Sequence, residues 1–277
     1  MEFNPEGLDK WCETSTFEVR AERVAAYAEA TNDPIRAHRA GEIAPPVFAC
    51  VPTFDSLLPA ALEIMPPELL GRVLHGEQDF RFHRPILPGQ TLSCRAKAVG
   101  YHDNSSGSTA TVYAETRGAA GELVNEQWVT FFFRRHEIGE SRGVQGEPHE
   151  FDQTLLELEP VAEVVQHVDS DQTFRYSPAS GDPMPIHLDE DAARLAGLPG
   201  IIAHGLCTMA FTSWAVLTEL ADGQVERLRR LAVRFAKPVF PGQDITTRLW
   251  STGGGRFAYQ TWAGDALVIR DGLAELS

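Results

Sequence analysis

The chain has no long hydrophobic run, comparatively few basic residues and no clustered cysteines, and each absence closes off a class of function. The longest apolar stretch, Ile201–Leu217, is interrupted by His204, Thr208, Thr212 and Ser213. It falls short of the ~20 residues a bilayer helix needs and reads as a buried helix. The opening residues, MEFNPEGLDKW, have neither the basic start nor the apolar core of a secretory signal. Lysine and arginine number 24 against 39 aspartates and glutamates, a formal net charge of −15. That balance argues against nucleic acid or an anionic membrane as a partner. The four cysteines, Cys12, Cys50, Cys94 and Cys207, lack metal-type spacing, so a reduced, cytoplasmic location is the default expectation. No Gly-rich phosphate loop, metal-ligand cluster or nucleophile elbow occurs, and neither a metal nor an organic cofactor is expected.

What the chain does have is a copy of itself. Phe80–Gln90 (FRFHRPILPGQ) matches Val233–Gln243 (VRFAKPVFPGQ), each reading as a strand, a Pro-x-x-Pro-Gly turn and the start of another strand. Upstream, Tyr27–Pro34 (YAEATNDP) aligns with Tyr176–Pro183 (YSPASGDP) without a gap. Two matches in the same order indicate an internal duplication. Each half shows a strand (TFEV; EVVQHV) and a short helix ending at an Asp-Pro corner. A long apolar helix follows (Pro46–Ile64; Ala203–Leu220), then several strands of period-two alternation. One long helix plus a strand meander, twice over, predicts an α+β fold with an antiparallel sheet wrapped around buried helices. The boundaries expected are an N-terminal unit over 1–136, a polar, Gly-rich linker over 137–150, and a C-terminal unit over 151–277.

The densest concentration of chemistry is Ala179–His187 (ASGDPMPIH), followed by Gly200–Gly205 (GIIAHG). Two prolines between Asp182 and His187 exclude a regular helix and hold an extended turn that can aim a carboxylate and an imidazole into one pocket. Leu188–Asp191 then reads as a helix start with solvated acids in its first turn.

This motif, with His204-Gly205 opening the next long helix, resembles that of MaoC-like dehydratases and (R)-specific enoyl-CoA hydratases (hydratase 2). The N-terminal half resembles the degenerate copy found in double hot-dog members of that family. The resemblance implies single-step addition of water to a trans-2-enoyl thioester, or the reverse dehydration of an (R)-3-hydroxyacyl thioester. On matching positions, Asp182 and His187 would hold and activate the water, and the Gly205 N–H would bind the thioester oxygen as it gains charge. Ser180, Met184, His204, Arg234 and Lys237 are the candidate substrate contacts. His204 serves equally as packing at a helix start, and Arg234, between Val233 and Phe235, equally as a structural ion-pair partner. One departure from the family pattern is Met184, where asparagine is usual. A CoA or acyl-carrier-protein substrate needs local cations, for which Arg81, Arg84, Arg229, Arg230, Arg234 and Lys237 are candidates. A homodimer is expected.

Asp33 and His38 repeat the spacing of Asp182 and His187. Aligning Ala40-Gly41 with Ala196-Gly197, however, sets His38 opposite Arg194, and no second pair is expected. Pro46 also stands where the other half has Gly205, and proline has no N–H to offer an oxyanion. The N-terminal half is also about ten residues shorter around the entry of its helix, which opens room in the core, and the resemblance implies that this half holds the acyl chain. Two rival readings are a thioesterase and a non-catalytic acyl-binding subunit. The first wants a carboxylate on the buried helix, where only Asp55 or the distant Glu219 is available; the second is disfavoured by the intact Asp182/His187 motif.

Overall fold

A computed structural model describes residues 2–277. The N-terminal half runs β1 (Ser15–Glu18), α1 (Ala21–Ala30), α2 (Arg36–Arg39), α3 (Cys50–Leu62), β2 (Val73–Phe82), β3 (Thr91–Asn104), β4 (Gly107–Arg117) and β5 (Leu123–Arg134). A two-residue strand, β6 (Arg142–Gly143), precedes the C-terminal half. That half runs β7 (Ala162–His167), α4 (Gln172–Ser180), α5 (Glu190–Leu195), α6 (Gly205–Leu220), β8 (Leu228–Arg234), β9 (Asp244–Gly253), β10 (Arg256–Ala263) and β11 (Ala266–Leu276). The strands form one antiparallel sheet in the order β1-β3-β4-β5-β2-β8-β11-β10-β9-β7, with β6 on β3. From either end the order is the same in terms of the repeat, so the halves are related by a pseudo-two-fold axis through the β2–β8 seam. Asp79 lies opposite Ala232 there, and the two are 153 positions apart, the offset of the Pro-Gly repeat.

The duplicated turn explains itself in hydrogen bonds. Gly89 and Gly242 take φ values of +86° and +85°, open to glycine at no steric cost. Gly89 N–H donates to the Val19 carbonyl and Val19 N–H to the Gln90 carbonyl; Gly242, Val168 and Gln243 repeat this. The Gln90 and Gln243 side chains close the turns by accepting from Leu87 and Phe240 N–H, both at 2.9 Å. Strand alternation then buries one face. In β3, Leu92, Cys94, Ala96 and Ala98 are fully buried, and the alanines let α3 approach closely.

The main core crosses the seam, joining Phe48 and Phe80 to Phe211 and Leu231. Helices α1 and α4 meet on the axis, where the repeat-equivalent Tyr27 and Tyr176 place their hydroxyls 3.3 Å apart. The outer face of the seam is ionic. Arg230 grips Asp79 in a buried bidentate pair (Nη2–Oδ2 2.8 Å) and reaches Glu147 and Glu275. The stretch expected from sequence to be a linker is therefore not free chain. Its strand β6 adds to β3, and its Glu147 is held by Arg81 and Arg230 across the seam. Polar composition here serves a charged interface, not solvation alone.

Candidate active site

Helix α4 ends where Gly181 turns left-handed (φ +85°), a C-cap that glycine favours. Ser180 Oγ donates back to the Tyr176 carbonyl at 2.9 Å and accepts Asp182 N–H at 3.3 Å, fixing the exit of the chain. Asp182 Oδ1 accepts the Met184 N–H at 3.0 Å, an Asx turn. Pro185 then opens a single 3-10 turn, Pro185–His187, at a position where a missing N–H costs nothing. The expected extended turn thus includes one tight 3-10 turn, and Asp182 and His187 come together across it.

His187 Nδ1 lies 2.9 Å from the Ile202 carbonyl, which can only accept, so Nδ1 carries the proton and Nε2 has a free lone pair. Asp182, His187 and His204 each present a polar atom within 4.8 Å of the others. The His187 and His204 rings stack, with centroids 3.8 Å apart and planes at 28°. Burial lifts the Asp182 carboxyl above its ordinary range, against the pull of the Met184 N–H and of His187. Burial lowers the His187 imidazole, partly countered by Ile202 and Asp182. Near neutral pH the imidazole is thereby a neutral base beside a carboxyl group.

His204 stands at the N-cap position of α6, with its side chain turned to other partners. Its Nε2 donates to the Asp182 carbonyl at 3.2 Å, and its Nδ1 is buried without a partner. Burial, with His187 adding to it, pushes its pKa down to about 3, so it stays neutral. It therefore packs and also holds the turn at Asp182. Gly205 begins α6, where the first N–H groups have no intrahelical acceptor and the dipole favours negative charge. A Cβ at Gly205 would stand 3.3 Å from the Phe235 ring, so glycine permits the close approach of strand and helix.

The remaining expected contacts separate. Ser180 is buried and spent on the backbone. Met184 is 43% exposed, and its contribution to the turn is its N–H. Arg234 does not join the site: it pairs with Glu77 and Asp271, because in β8 its side chain alternates away from that of Phe235. Lys237 is exposed in the turn whose Val239 carbonyl accepts the Ala203 N–H at 2.8 Å, two residues before Gly205.

One residue near the site carries no signal in the sequence. His75 of β2, from the opposite half, sets its ring 5.2 Å from that of Phe235, and burial lowers its pKa to about 4. Only the seam register brings it there, and no local motif marks it.

The expectation that Asp33 and His38 part company is overturned. Their side chains meet at 2.7 Å (Oδ2–Nδ1), with both residues almost fully buried. The shortening of the N-terminal half falls after His38: six positions separate His38 from Ala44, against sixteen from His187 to Ala203. What is missing is a counterpart of α5. The pair survives, with the acid on Nδ1 and Nε2 buried without a partner.

Comparison with known proteins identifies relatives of both halves. The MaoC like domain family matches residues 152–270, and the FAS1-like dehydratase domain region matches residues 9–127. The chain is 32% identical to the 3-hydroxyacyl-thioester dehydratase Y of Mycobacterium tuberculosis, over 83% of this chain and 78% of that protein. It is 30% identical to the peroxisomal enoyl-CoA hydratase 2 of Arabidopsis thaliana, over 81% of this chain and 75% of that one. The crystal structure of a MaoC-like dehydratase from Phytophthora capsici superposes with a TM-score of 0.84 at 23% identity, covering 98% of this chain and 96% of the other. With its two half-sheets, its buried helices and its Asp-Pro turn after α4, the chain belongs to the MaoC-like family of hydratases and dehydratases and has the double hot-dog fold.

Proposed function

We propose that this protein catalyses the reversible (R)-specific hydration of trans-2-enoyl thioesters, equivalently the dehydration of (R)-3-hydroxyacyl thioesters. The observation that carries the reading is the commitment of His187 Nδ1 to the Ile202 carbonyl, which leaves Nε2 as a free base beside Asp182 at the N-terminus of α6. Water held between Asp182 and His187 adds through its oxygen to C3 of the enoyl group while its proton passes to Nε2. The electron pair moves through C2 to the thioester oxygen, which the Gly205 N–H and the helix dipole stabilise. The imidazolium then returns a proton to C2, and Asp182 favours that imidazolium while it exists. Dehydration follows the same path in reverse.

In this reading the C-terminal half does the chemistry and the N-terminal half holds the acyl chain. The thioester is carried by CoA or an acyl-carrier protein, with Lys237 near the mouth, and the protein acts as a cytoplasmic homodimer. No helix is long and apolar enough to cross a membrane among the described residues. The test is incubation with crotonyl-CoA and longer enoyl-CoAs, following the conjugated enone absorbance and free thiol together. Enone loss without thiol is the expected result; thiol release would replace this reading with a thioesterase.

A further inference from the structure

The repeat of the catalytic mouth in the N-terminal half is not filled in. Ala44, Pro45 and Pro46 stand where the other half has Ala203, His204 and Gly205, and the correspondence holds in hydrogen bonds. Ala44 N–H donates to the Ile86 carbonyl at 3.0 Å as Ala203 N–H does to that of Val239. Between these segments lies a cavity of about 120 Å³, walled by Pro45, Pro46, Phe82, Ile86 and Leu228. Two features distinguish it from an inert remnant.

First, Asn125 lines it. Asn125 pairs with Phe82 on β2 where the other half pairs Ile269 with Phe235, so an amide has replaced an apolar side chain in a buried place. Its Oδ1 accepts from Gln127 Nε2 at 3.2 Å, while its Nδ2 is buried with no acceptor. A buried donor without a partner is uphill unless something else occupies the space. Second, Arg84 and Arg229 both line the cavity, and neither has a carboxylate partner among the described residues. Both side chains are exposed, so they stand at the rim of the cavity. The acids at hand are Glu226, which also lines the cavity, and Glu126, which is engaged by His83 and Tyr113.

We propose that this cavity is a binding site for a short-chain monocarboxylate. Its carboxylate takes the Asn125 Nδ2 donor and the two guanidinium groups, and its hydrocarbon end lies on Pro45, Pro46, Phe82 and Ile86. Size sets the chain length. An apolar cavity of ~150 Å³ accepts benzene, roughly six heavy atoms, so this one suits an acid of about four carbons. The prolines that remove the oxyanion donor make it a site that binds without reacting.

Titration calorimetry with sodium butyrate tests this, with butan-1-ol and inorganic phosphate as the neutral and the purely anionic comparators. Butyrate is expected to bind saturably and more tightly than either. The double variant Arg84→Ala/Arg229→Ala should weaken it by about tenfold or more, the loss of a charge-assisted contact. Asn125→Leu should weaken it as well, and Asp182→Asn/His187→Ala should leave it unchanged. Absence of saturable binding, or phosphate or butanol binding as tightly, would overturn the proposal. So would butyrate affinity that survives the arginine changes but is lost with the catalytic pair, which would place the acid in the other half.

Discussion

Two aspartate–histidine pairs of identical spacing sit in the two halves of this protein, and they are wired differently. In the C-terminal half a backbone carbonyl takes the proton-bearing Nδ1 of His187, so the carboxylate and Nε2 remain available to a third party. In the N-terminal half the carboxylate itself takes Nδ1 of His38 inside the core, and Nε2 is buried without a partner. Spacing brings the residues together; what the backbone offers the imidazole decides whether they are a reagent or a rivet.

Matched substitutions in the two halves are the sharpest way to break this comparison. Asp182→Asn and His187→Ala should each lower kcat for crotonyl-CoA hydration by about 10²–10⁴ with little change in thermal midpoint. Next in size is the first turn of α6. Gly205→Pro gives this half what the other has at Pro46 and should cost about 10²–10³ in kcat, whereas Gly205→Ala, which crowds Phe235 but keeps the N–H, should cost far less. Equal losses in the two variants would mean that crowding, not the donor, matters. Asp33→Ala or His38→Ala should act on the fold, lowering stability by about 3 kcal/mol in denaturant titration, because the abandoned partner stays buried. Turnover per folded molecule should hold.

The pH dependence is smaller and runs the same way for rate and stability. His187 must be neutral to accept a proton, and burial lowers its pKa, so activity should fall on the acid side with a midpoint below the ordinary imidazole value of 6.5. His204 and His75 are buried neutral, with pKa values of about 3 and about 4. Between those values and the ordinary imidazole range the unfolded chain binds more protons than the folded one, so the melting temperature should decline as pH drops through that window. The smallest effect belongs to Met184→Asn, expected to change kcat/KM within about threefold, since the backbone N–H at this position holds Asp182 whatever the side chain.

Much of this is legible in the sequence because it is written locally. The Pro-x-x-Pro-Gly turns, the Asp-Pro corner and the two apolar helices each rest on residues near one another in the chain, and the copy in the other half doubles the signal. What escapes depends on the seam. The sequence allows Arg234 to be an ion-pair partner, but only the pairing of β2 with β8 shows that Glu77 is the acid opposite it. His75 looks like any strand histidine until the same pairing lays it against Phe235. The Asp33–His38 pair misleads for another reason. Aligning on the downstream glycines puts the missing residues on the wrong side of His38, whereas the chain drops α5 and keeps the turn.

The hydroxyls of Tyr27 and Tyr176 meet as a residue meets its own image in a dimer of identical units. In such a dimer every substitution appears twice, so exchanging the glycine at a helix start for proline would silence both sites at once. Joining the units into one chain makes the two helix starts separately variable, and Pro46 can coexist with Gly205. The peptide that crosses the seam is thus what permits the two halves to carry different residues at equivalent helix starts.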